Sequence, residues 1–226
     1  MSKTAREVIL SSLTSAVTLD SLTPKASETV LLKNWSLNER IEKLKNNLES
    51  VRGEVHITKN KNWIKVLESI LIKRGISSIL YSPHISIGKQ ISDHWKRSSI
   101  KLPDLIVYEE NFELFKDKLF KAEASITSAR GAIAENGSII LWPDKNEPRS
   151  MSLVPPVHIA VLNATDIFNT FSEALSDNNW IENPPTNAIM INGPSKTADI
   201  ELILAFGVHG PKEQITLIIT QDRSEM

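Results

Sequence analysis

The stretch EVHITKNKNWIKVLESILIKRGISSILYS, Glu54 to Ser82, decides the fold. EVHIT is short, rich in β-branched residues and apolar at alternate positions, the pattern of a strand. In NWIKVLESILIKRG the period changes. Trp63, Val66, Leu67, Ile70 and Leu71 fall on one helical face, and Gly75 stops the helix. SSILYS returns to a strand. A strand, an amphipathic helix and a second strand in immediate succession make a βαβ unit, which joins its strands in parallel.

The same alternation runs downstream. ISIGKQISDHWKR reads as a helix through Ile87, Ile91 and Trp95, DLIVYE as a strand and NFELFKDKL as a helix. EASIT and SIILWP read as strands around SARGAIAENG, which reads as a short polar helix or loop. HIAVLN, NAIMIN and QITLIIT complete the strands, with ATDIFNTFSEAL and TADIELILAF as helices between them. The expected fold class is therefore α/β, a three-layer, mostly parallel sheet with helices on both faces. The closely spaced middle strands imply some antiparallel or hairpin additions.

Upstream, SLNE at 36–39 has the form of a capping box, and Leu37, Ile41, Leu44, Leu48 and Val51 stripe the helix behind it up to Gly53. Residues 18–35 lack a sustained period and read as a connector. Val8, Ile9, Leu13 and Val17 give the first residues an amphipathic helix. The expected organisation is an N-terminal helix and connector at 1–35 and an α/β domain at 36–226.

Composition removes several function classes. The chain is 41% apolar and 23% charged with a net charge of −1, and it has no basic block to match nucleic acid or an anionic membrane. VILSSLTSAVTL follows Lys3 and Arg6, but Glu7 and the many hydroxyls weaken it as a signal peptide. No run reaches the roughly twenty apolar residues of a membrane span, and we expect a cytoplasmic protein. Cysteine is absent, so thiol catalysis, disulfides and iron–sulfur ligation by this chain's own thiolates are excluded. The five His residues lack ligand spacing, so no metal and no cofactor are expected.

Three loops carry candidate chemistry. In INGPSKTADIEL (191–202), Gly193 permits a tight turn and Pro194 fixes the backbone. Ser195 or Thr197 is placed to cap an expected helix, leaving amides and Lys196 for an anion. A plain capped turn with an exposed Lys explains the same residues. The spacing is not that of a P-loop. In FGVHGPKE (206–213), Gly207 ends that helix, Gly210-Pro211 repeats the Gly-Pro pair, and His209 and Lys212 flank it. His209 could act as a base near neutral pH or cap the helix. In ARGAIAENGSIIL (129–141), Glu135 could serve as nucleophile or general base, or ENG could be a turn chosen for its backbone. Arg149, further on, is a candidate carboxylate or phosphate clamp or an exposed loop cation.

Taken in order, ARGAIAENGSIIL, RSMSLVPPVHIAVL and INGPSKTADIELILAFGVHGPKE resemble the LUD domain family, in the pattern of lactate utilisation protein C; TAREVILSSL resembles the family's amino-terminal helix. The chain has Asn136-Gly137-Ser138 where the family commonly has Thr-Gly-Thr, and Lys196 where it commonly has Arg. Lysine keeps the charge and loses the bidentate fork.

The resemblance implies a fold like that of the ribose-phosphate isomerase and coenzyme A-transferase group. It also implies a role in oxidising L-lactate to pyruvate beside iron–sulfur partner subunits, and the lack of cysteine fits a non-redox subunit that binds an anionic small molecule or docks its partners. From another class comes a stand-alone coenzyme A-transferase-like enzyme using Glu135, on the likeness of AENGS to the Glu-Asn-Gly of some such enzymes.

Overall fold

Strands β4 (Ala124–Ser128), β7 (Val157–Asn163) and β12 (Glu213–Thr220) are buried on both faces almost throughout. They form the centre of a six-stranded, wholly parallel sheet. Its order is β1-β12-β7-β4-β2-β3, with β1 at Glu54–Lys59, β2 at Ser78–Tyr81 and β3 at Asp104–Val107. The computed structural model describes residues 4–16, 33–109, 112–177, 180, 182, 184–198 and 204–221. The chain divides into two compact units, residues 1–33 and 34–226. The first contains helix α1 (Ala5–Ala16). Most of the connector expected at 18–35 lies outside the described residues.

Helices α3 (Trp63–Lys73) and α4 (Ser86–Arg97) cover one face of the sheet. Trp63, Leu67, Ile70, Leu71 and Ile91 pack there on Ile79, Ile126, Ile159, Ile215 and Leu217. Each fully buried aliphatic side chain of this kind stabilises the fold by about 1.5–3 kcal/mol. The Trp63 indole N–H donates to Gln90 Oε1 (3.1 Å), which ties the two helices together.

The opposite face is covered in two parts. Helix α5 (Phe112–Lys121) and the short α6 (Arg149–Leu153) bring Phe115, Leu119 and Met151 against Leu80. Helix α2 (Leu37–Ser50) and a second sheet pack on Val55, Ala160, Leu162 and Ile218. The second sheet has the order β8-β5-β6-β9, from Ile167–Phe168, Gly131–Ile133, Ser138–Leu141 and Ile189–Ile191. It is the expected antiparallel addition, with only β5 and β8 parallel. The capping box forms as read: Ser36 accepts from the Glu39 amide, and the Glu39 carboxylate accepts from Ser36. The Ser36 amide holds that carboxylate below its ordinary pKa. Of the expected stripe, Ile41, Leu44 and Leu48 are buried, while Leu37 and Val51 are exposed at its ends.

Three expectations change. TADIELILAF is not a helix: β10 (Lys196–Ala198) pairs antiparallel with β11 (Leu204–Phe206), and residues 199–203 lie outside the described set. The sequence carries a signal for a strand as well, because Thr197, Asp199 and Glu201 alternate with Ala198, Ile200 and Leu202 before the wholly apolar LILAF. ATDIFNTFSEAL splits into a 3-10 turn (Ala164–Asp166), β8, and helix α7 (Phe171–Asp177). Thr170 accepts from the Glu173 amide at 3.3 Å, so TFSE is a helix start inside the expected helix. GAI is a buried strand, β5, rather than polar helix or loop. The end of α2 is as read: after Arg52 takes a positive φ of 70°, Gly53 donates back to Leu48 O at 2.8 Å.

One close contact sets the seat of α4. A Cβ built on Gly88 would fall 1.7 Å from Ser82 O, so the first turn of the helix lies directly on the backbone that follows β2. Gly88→Ala should therefore displace α4 and cost about 1–3 kcal/mol or more. Urea unfolding of the two proteins checks this; an unchanged midpoint would show that α4 can shift freely.

Candidate functional site

The connections of the parallel sheet reverse direction at one place. From β2 the chain moves outward to β3, whereas from β4 it moves inward to β7. Ligand sites in open α/β sheets form at the carboxyl ends of strands flanking such a switch point. Here those ends are Tyr81 and Ser128.

A polar row runs from Thr127, next to Ser128, down to the amino ends of β7 and β12. Thr127 Oγ1 lies 2.8 Å from His158 Nε2, and His158 Nδ1 lies 2.8 Å from Gln214 Oε1. His158 is fully buried, and burial pushes its pKa down to about 4, against the opposing Gln214 bond. It is therefore neutral at pH 7. Its Nδ1–H donates to Gln214, and its Nε2 accepts from Thr127. Ser82 follows the carboxyl end of β2 directly. Ser82 is 1% exposed, and its hydroxyl has no hydrogen-bond partner.

Above the row sits Glu147. Its Oε1 accepts from the Ser128 amide at 2.8 Å, and its Oε2 accepts from the Ser128 hydroxyl. Burial raises its pKa to about 7, outweighing the Ser128 bonds that favour the anion, and nearby Asp144 raises it further. A carboxyl poised there can give or take a proton at neutral pH. Thr127, Ser128, Trp142, Glu147, Pro148 and Ser152 line a small cleft of about 10 Å³, room for about one water. At the rim the Arg130 guanidinium lies 5.3 Å from the Trp142 ring centre, and Trp142 meets Trp180 edge-on at 5.3 Å.

Among the sequence-derived candidates, Arg149 is exposed and opens α6 two residues after Glu147. The other candidates gather elsewhere. The loop holding His209, Gly210 and Lys212 enters β12 at its amino end. The Ser195 amide donates to Pro211 O (2.8 Å), and the Gly207 amide donates to Ser195 O (2.9 Å). Asn192 donates to Asn136 O (2.9 Å) and accepts from Ser138 Oγ (3.1 Å), which joins the exposed Glu135 turn to Gly193 and Pro194. Gly193 has φ 147°, so glycine is required there. The three motifs thus meet in one hydrogen-bonded neighbourhood. Lys196 and Thr197 belong to a hairpin arm that Ser195 precedes, however, so the expected helix amides are not available at this point.

Glu147, Ser82 and the Thr127–His158–Gln214 row escaped the sequence reading. The available signal was polarity in strands that should be buried on both faces: Ser125 and Thr127 alternate with Ala124 and Ile126. Among the described residues, no three His, Asp or Glu side chains come together as a metal site. No helix among them is long and apolar enough to cross a membrane.

The two shifted groups have opposite effects on stability. Glu147, with its pKa raised in the fold, contributes stability that is full below about pH 4.5 and is lost as pH rises to about 7. His158, with its pKa lowered, contributes stability that is lost as pH falls from about 6.5 to about 4. Glu147→Gln should therefore gain stability relative to the parent as pH rises from 4.5 to 7. Denaturant midpoints across that range check it, and parallel profiles would contradict it.

Comparison with known proteins agrees with this fold. The LUD domain family model matches residues 41–219. An uncharacterized protein of Neisseria meningitidis serogroup B is 32% identical over 223 residues, covering 96% of this chain and 94% of that protein. Lactate utilization protein C 1 of Bacillus mycoides is 26% identical over 190 residues, 80% of each chain. Lactate utilization protein C of Macrococcus caseolyticus is 38% identical over 107 residues, 46% of each. The crystal structure of a DUF162 family protein from Deinococcus radiodurans matches with a TM-score of 0.60 at 17% identity, covering 83% of this chain and 99% of that one. The chain belongs to the LUD domain family.

Proposed function

We propose that this protein serves in lactate utilisation, as the subunit without a redox centre in a cytoplasmic complex that oxidises L-lactate to pyruvate. The observation that carries the reading is the likeness, over four-fifths of each chain, to a protein named lactate utilization protein C 1. The absence of cysteine supports the division of labour. Two electrons must leave lactate; a chain without thiolates cannot ligate an iron–sulfur cluster to take them, and in this reading partner subunits carry those centres. This subunit then handles the substrate and its protons. In this reading Glu147, whose raised pKa suits a general base, takes the hydroxyl proton, the Cα–H bond breaks as its electron pair passes to the partners' centres and its proton to solvent, and Arg149 beside it holds the carboxylate. The loops around Lys196, His209 and Lys212 form a second cationic region, which we assign to an anionic ligand or to a partner subunit.

The test is affinity purification of the tagged full chain from its native cells, followed by iron analysis and lactate-dependent dye reduction on the eluate. We expect cysteine-rich, iron-containing partners and lactate-dependent reduction, with Glu147→Gln lowering the rate by about ten-fold to ten-thousand-fold while the partners still copurify. Recovery of the chain alone, without iron or lactate-dependent activity, would overturn the assignment.

A further inference from the structure

Strand β1 closes one end of the six-stranded sheet, so one side of its backbone has no strand neighbour among the described residues. An open edge of this kind is a template for a further strand. Beside it lies a groove of about 490 Å³ between β1 and α3. Glu54 and His56 form its strand wall, Val66 and Ile70 its apolar floor, and Lys65, Ser69 and Lys73 its helical rim.

The charges in the groove are unevenly satisfied. Arg74 is engaged by both Glu54 and Glu213, and His56 Nε2 lies 2.6 Å from Glu54 Oε1. Lys65 and Lys73 are exposed and have no ion-pair partner among the described residues. They are the uncompensated charges of the groove, and with Ser69 they follow the i, i+4, i+8 ridge of the helix, which is inclined to its axis.

Their spacing has a counterpart in extended chain. Eight residues of α-helix span about 12 Å. Four residues of strand span about 13 Å, and residues i, i+2 and i+4 of a strand face the same way. We propose that the β1 edge and the α3 groove dock an extended acidic segment of a partner protein, added as a strand beside β1. Two carboxylates four residues apart meet Lys65 and Lys73, and an apolar side chain midway between them lies over Val66 and Ile70. On the other face of β1, Ile57 is 47% exposed and gives the added strand further apolar surface to cover. This proposal stands whether or not the metabolic role above is right.

The probe is a fluorescein-labelled, nine-residue threonine–serine peptide with Glu at its third and seventh positions and Leu at its fifth. Anisotropy titration with the full chain at low salt should show saturable binding. Lys65→Glu combined with Lys73→Glu should weaken it by at least about ten-fold, with the fold confirmed by circular dichroism. Replacing both Glu of the peptide with Gln should do the same. N-methylation of alternate peptide amides should also weaken it, which separates strand addition from simple charge attraction. Absence of saturable binding, indifference to the double charge reversal, or full affinity of the N-methylated peptide would overturn the proposal. A stable dimer of the chain that the peptide fails to dissociate, seen by analytical ultracentrifugation, would overturn it in favour of a second copy on this edge.

Discussion

Strands β4, β7 and β12 are covered on both faces, and this double burial constrains everything around them. A buried side chain there is either apolar or completely hydrogen-bonded, because leaving a polar group unpaired costs about 1–3 kcal/mol. On the α3–α4 face the residues are apolar throughout. On the other face the strands carry Ser125, Thr127, His158, Gln214 and Thr216. The Thr127–His158–Gln214 chain satisfies that face by holding histidine neutral in one tautomer. Helices and second sheet cover this row, and the crevice opens just above it.

Most of the parallel sheet was legible because its signals are local. The period change between Val55 and Leu71 and the capping box at Ser36 each specify an element without reference to distant residues. The second sheet was harder. The strands missed are short, three residues in β5 and two in β8, which is too little chain to establish a period. The error at 197–206 had a different cause: Gly-Pro-Ser-Lys-Thr imitates a helix start, and that cue outweighed a clear two-residue alternation behind it. In this case the longer-range pattern was the better guide.

The candidate site shows where sequence reading loses reach. Glycines, prolines and lone charges in loops are conspicuous, and those motifs do cluster in space, held by Asn192 and Ser195. The strongly shifted carboxyl is an inconspicuous Glu in the segment DKNEP. Its environment comes from Ser128 on a strand, from Asp144 in its own loop and from Trp142 and Pro148 that enclose it. No linear pattern brings these together; the switch in strand order does.

The ring contacts at the crevice give this protein a built-in optical gauge. Trp142 lines the cleft beside Glu147 while touching Arg130 and Trp180, so displacement of the segment 142–148 must alter the polarity and quenching around an indole. Trp63, buried in the opposite layer at 1% exposure, adds a constant background to that emission. Opening of the crevice is thereby accessible to stopped-flow emission without an added dye.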